Sequence, residues 1–101
     1  MTDQLCALQQ LLSLSRLMLE KAREEVWDEV FVLEAERSES IKFFFAEPIR
    51  PENSEAVGAA IQTILARDRD TMALGSLAKL DLAQALHTIE QGKKAVRAYN
   101  L

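Results

Sequence analysis

The chain has 101 residues, is 49% hydrophobic and 28% charged, and carries a net charge of −4 with a single cysteine, Cys6. That length gives one domain over residues 1–101, near the lower limit for a core without staples, and the composition excludes a disordered or membrane-embedded chain. One cysteine excludes an internal disulfide and two-cysteine metal clusters, and a pI near 5.0 argues against a broad phosphate-binding face. The acidic excess lies in the first half, where residues 1–50 hold ten acidic and six basic side chains against six of each in residues 51–101. Met1-Thr2-Asp3-Gln4 lacks the basic region of a signal peptide, and the longest uncharged stretch, Gln4 to Ser15, is too short to span a bilayer. A cytoplasmic protein is expected.

Three glycines, two prolines and no strand-like alternation, in a chain rich in Leu, Ala, Glu, Gln, Lys and Arg, predict an all-α fold: a small antiparallel helical bundle of about four helices. The first helix starts at a Thr2 or Asp3 cap. Leu5, Leu8, Leu12, Ser15, Leu19, Ala22 and Val26 then form a seam three and four apart, beside a second row of Ala7, Leu11, Leu14 and Met18. This face is wider than one packing partner covers, so the helix should meet two neighbours. The seam fails at Glu29, which places a tight turn between Arg23 and Asp28; Asp28 would cap the next helix, with Trp27 stapled onto Val32. The alternative is one very long helix.

The second helix runs from about Trp27 to Ala46, with Trp27, Val30, Phe31, Leu33, Ile41, Phe44 and Phe45 on one broad face, and Pro48 and Pro51 end it. Asn53 or Ser54 caps a third helix carrying Val57, Ala60, Ile61, Ile64 and Leu65, with Glu55 in its first turn. Asp68 or Asp70 would cap a fourth, with Gly75-Ser76 a rival break. That helix has the seam Thr71, Gly75, Ala78, Leu82, Ala85, Ile89, Gly92, Val96 and Tyr99, which places Leu82 and Ile89 in the core, and Lys93, Lys94 and Arg97 suit the dipole of its last turns.

No constellation here carries catalysis, and no cofactor or metal site is expected. His87 is the only histidine and sits off the main seam, Cys6 lies beside the first seam as a small core residue without a base, and no glycine-rich phosphate loop or nucleophile elbow occurs. The cluster Glu24, Glu25, Asp28 and Glu29 reads as a solvated acidic rim at a helix turn. Glu34 falls amid Val30, Phe31 and Ile41, where an unpaired carboxylate is costly, so it should pair with Arg16 or with a second subunit. Val32 and Phe43 read as scattered exposed apolar residues.

Two features point to partners. Ala73, Leu77 and Leu80, extended by Gln84, form an apolar row opposite the main seam of the last helix; such a helix is either buried in the middle of the bundle or leaves one side for a partner, and on the second reading this row is the candidate client site. Leu11, Leu14, Met18, Trp27 and Phe31 are the candidate self-association surface, because the wide first-helix face and the aromatic second helix exceed what one short bundle covers; a dimer or small homo-oligomer is expected.

In order and spacing, from Leu8 to Tyr99, the chain resembles the FliT family of flagellar export chaperones. The residues that carry the likeness are Met18-Leu19-Glu20-Lys21-Ala22, the Trp27-Asp28 pair, Glu34 and Ile41 at the family's spacing after the tryptophan, Asp68, and Gly92-Lys93-Lys94-Ala95-Val96-Arg97-Ala98-Tyr99. The sequence departs from some relatives in stopping just after Tyr99, so no regulatory extension is expected. The resemblance implies an antiparallel bundle that self-associates mainly through its N-terminal helices. It also implies a client, the filament-cap protein FliD, held unassembled by the C-terminal helices and delivered to the flagellar type III export apparatus. In some relatives FlhC, part of the FlhDC master activator of flagellar transcription, is bound as well, and an anti-activator is the alternative function. Neither role needs direct contact with nucleic acid.

Overall fold

The computed structural model describes residues 4–99, and within them the side chains of all but residues 81, 82, 89 and 92–99. The expected Thr2 or Asp3 cap, and the expected burial of Leu82 and Ile89, lie outside what is described. Helix α1 is Gln4–Arg23, α2 is Trp27–Phe45, a short 3-10 turn covers Pro51–Asn53, and α3 is Ser54–Tyr99. The described residues contain no strand. The all-α bundle is as the composition requires, with neighbours in sequence running antiparallel.

One boundary differs. The third and fourth helices are a single helix of 46 residues, unbroken at Asp68, Asp70 or Gly75. An Asp caps a helix only if its carboxylate is free to take backbone N–H groups. The Asp68 carboxylate instead accepts a 2.6 Å bond from Arg37 Nη1 on α2, so it has no cause to end the helix. Gly75 lacks a Cβ but no proline follows it, and a lone interior glycine costs only about 1 kcal/mol.

The α1–α2 turn is where the failed seam puts it, though Asp28 does not cap α2. Val26 occupies the cap position without a side-chain bond, and Asp28 and Glu29 lie in the first turn, where they suit the dipole. Val32 is exposed and makes no staple. Instead α1 closes in a Schellman pattern: Val26 N–H reaches the Lys21 carbonyl at 2.9 Å and Glu25 N–H the Ala22 carbonyl at 3.1 Å. Glu25 then sits at φ 62°, the left-handed region that glycine occupies freely. Replacing Glu25 by Gly should therefore stabilise the fold by about 1 kcal/mol. The check is a urea midpoint that rises at unchanged slope; a lowered midpoint would contradict the turn geometry.

Helix α1 is central, and its two apolar rows serve two neighbours. At its start Leu8 and Leu11 form a core with Phe44 of α2 and Val57 and Ala60 of α3. At its end Met18 and Ala22 pack with Val30, flanked by Trp27, Leu33 and Leu74. Between them Ser15 is fully buried, and Arg67 on α3 donates to the Leu12 carbonyl at 2.8 Å and to Ser15 Oγ at 3.2 Å. This pins α3 to α1 where no large side chain fits. Gln4 fastens the other end, accepting from Asn53 Nδ2 at 2.8 Å and from Arg50 N–H at 3.2 Å. Cys6, expected in the core, is exposed, because it falls outside the arc of α1 that faces α2 and α3.

Candidate partner-binding groove

Both α2 and α3 pack along α1, but they do not close on each other, and a groove opens between them. At its lower end Ile41, Phe44 and Phe45 face Ile61, Ile64 and Leu65 across a cleft of about 280 Å³ floored by Leu8 and Leu11. At its upper end Trp27, Val30, Phe31 and Glu34 face Thr71, Met72, Gly75 and Lys79 across one of about 560 Å³. In register between the two, the Arg37–Asp68 ion pair spans the helices. From Ile61 to Lys79 the α3 wall is about 27 Å long, matching some five turns of helix.

The walls are apolar and open to solvent. Phe31 is 64% exposed and Met72 70%, and Phe45 and Leu65 are about half exposed. Glu34 also opens into this groove and does not pair with Arg16, which reaches Glu20 on its own helix at 3.6 Å. The expected cost of an unpaired carboxylate is avoided because the groove is wet. At the α1–α2 turn the acidic rim is exposed, and Lys21 Nζ bridges Glu24 and Glu29 at 3.2 Å each, which raises the Lys21 pKa above its ordinary value. Among the described residues no cluster of His, Cys, Asp and Glu could hold a metal ion, and none of the described helices is long and apolar enough to cross a membrane.

The candidate client row Ala73, Leu77, Leu80 and Gln84 is exposed throughout, with Leu77 58% and Leu80 59% accessible. It lies on the side of α3 turned away from α1, and none of its members lines the groove. The candidate self-association residues are not brought to one surface. Leu11 and Met18 are buried in the two cores, Leu14 lines a crevice between α1 and α2 with Cys6 and Glu36, and Trp27 and Phe31 line the groove. His87 is exposed, as are Val32 and Phe43.

The reading by seams passed over Ile61, Leu65 and Met72 as a binding row. Their spacing of four and seven, with Asp68 between, was a usable signal. Dividing the helix near Asp68 cut that row in two.

The model of one protein family, described as Flagellar protein FliT, matches residues 5–101. No curated protein and no solved structure matches the chain.

Proposed function

Because the chain belongs to the FliT family, whose role is that of a flagellar export chaperone and regulator rather than an enzyme, we propose that it holds an amphipathic helix of the filament-cap protein FliD in the groove between α2 and α3. The observation that carries this is the pair of clefts itself: exposed apolar walls on two helices, over a floor of Leu8 and Leu11 at the lower end. A client helix with apolar residues at i, i+3, i+4 and i+7 would meet Phe45, Ile61 and Leu65 below and Phe31 and Met72 above. A cationic client residue would meet Glu34. Covering such a helix in the cytoplasm stops it from assembling before the type III apparatus exports it. Holding needs no nucleotide or metal, since burial of apolar area supplies the affinity.

Leu77 and Leu80 support a second reading, in which the client lies on the outer row of α3 rather than in the groove. The function itself is tested by pull-down of the 101-residue chain with a C-terminal FliD fragment and with FlhC. The proposal expects the FliD fragment to be retained without nucleotide. Retention of FlhC alone would replace it with an anti-activator that works by protein contact.

A further inference from the structure

The Arg37–Asp68 pair stands in the middle of a groove whose two ends are apolar. Its members come from opposite walls, and among the described residues their 2.6 Å bond is the hydrogen bond that joins α2 to α3. The side chains are 12% and 27% exposed, and both line the lower cleft where it gives way to the upper one. The bond engages one N–H of the guanidinium and one carboxylate oxygen. Arg37 has further N–H donors, and Asp68 has a second acceptor oxygen. Among the described residues no buried side-chain nitrogen or oxygen lacks a partner. The donors and the acceptor that this bond leaves over therefore reach solvent, and water serves them.

That hydration decides what can cover the pair. A helix that touches both ends of the groove passes over its middle. An apolar side chain there would strip water from charged groups and return no hydrogen bond, a loss larger than the gain from one more leucine contact. A charged side chain fares no better, since a cation meets Arg37 and an anion meets Asp68. A neutral side chain that donates and accepts at once suits both members. The amide of asparagine or glutamine can accept from Arg37 and donate to Asp68.

The spacing says where that amide belongs. On α3, Leu65, Asp68 and Met72 follow one another on successive turns, and on α2 Arg37 falls between Ile41 below and Phe31 above. Along both walls the groove therefore runs apolar, polar, apolar, with the polar level about one turn from each apolar one.

We propose that the Arg37–Asp68 pair determines specificity in the groove by selecting a client helix whose apolar stripe is interrupted at its midpoint by asparagine or glutamine. This rests on the groove being the client site. The pair acts against the wrong partner as much as for the right one: a helix with an unbroken leucine stripe, the commonest amphipathic pattern, is disfavoured at the centre.

Two synthetic amphipathic helices of about five turns test this, identical except that the central residue of the apolar stripe is glutamine in one and leucine in the other. Calorimetric titration of the unmodified chain should show the glutamine peptide binding at least about tenfold tighter. Equal affinities, or a preference for leucine, would overturn the proposal. Arg37→Met with Asp68→Leu removes both charges together and leaves neither unpaired, so thermal unfolding should show a folded protein. In that variant the preference should pass to the leucine peptide, and a glutamine preference that persists would also overturn the proposal. Phe31→Asp with Met72→Asp should weaken both peptides alike. Binding indifferent to that second pair of substitutions, or no binding of either peptide, would instead refute the groove as the client site.

Discussion

Replacing Phe44 by alanine should cost about 3–5 kcal/mol, the largest single loss expected in this fold. Phe44 is only 5% exposed and is the buried α2 residue of the lower core, where with Ile41 packed alongside it joins Leu8 and Leu11 of α1 and Val57 and Ala60 of α3. It also stands edge-on to Phe45, with ring centroids 5.0 Å apart at 87°. Phe44 is the buried side chain by which α2 enters the core shared with α3, so its truncation removes contacts with α1 and α3 together. A domain of this size has about 5–15 kcal/mol in total, so the variant should unfold at a much lower urea midpoint. Phe43→Ala makes the control: its side chain is 78% exposed, and its loss should stay within about 0.5 kcal/mol. Equal losses at the two positions would mean that α2 is rotated from the face described.

Placing aspartate at both Phe31 and Met72 should leave the fold intact and weaken binding of a FliD fragment about a hundredfold. Both side chains are more than half exposed, so their removal takes little from either core. In the proposed complex they would be the two upper anchors, and each new carboxylate would be desolvated by the client helix beside Glu34. Leu77→Asp with Leu80→Asp, on the outer row, should change affinity by no more than about threefold. Calorimetric titration of the two double variants, with thermal unfolding of each, separates the surfaces. The reverse pattern would move the client from the groove to the row.

The parts of the fold that were legible are those written as periodicity. Two apolar rows on α1 required two packing partners, and both are present. The failure of the seam at Glu29 marked the turn after Arg23 because a helix cannot keep one face buried once its phase slips. The left-handed Glu25 was hidden, since glycine is the usual signal for that geometry and none stands there. The length of α3 was misread for a related reason: Asp68 and Gly75 look like stop signals until Arg37 is seen to occupy the carboxylate. Cys6 and Glu34 were assigned to the core by angle alone. Angle decides burial only if a neighbour arrives at that angle, and along Glu34 none does.

The groove was the least legible feature because α2 and α3 meet at only a few points, such as Arg37 with Asp68, and stand apart on either side of them. No residue pattern reports an absent contact. Phe31, Phe45 and Leu65 read equally well as core until the helices are placed and their exposure is known.

Trp27 offers the most direct test of whether that groove is the client site. It is the only tryptophan in the chain, it is half-buried at the groove's upper end, and its ring edge lies beside Gly75. A tryptophan-free C-terminal fragment of FliD, titrated into the protein, should shift Trp27 emission to shorter wavelength. The shift should saturate at the stoichiometry that calorimetry gives for the same pair, as a client helix displaces water from the indole. Emission that stays unchanged while calorimetry records a saturated complex would contradict the groove as the site.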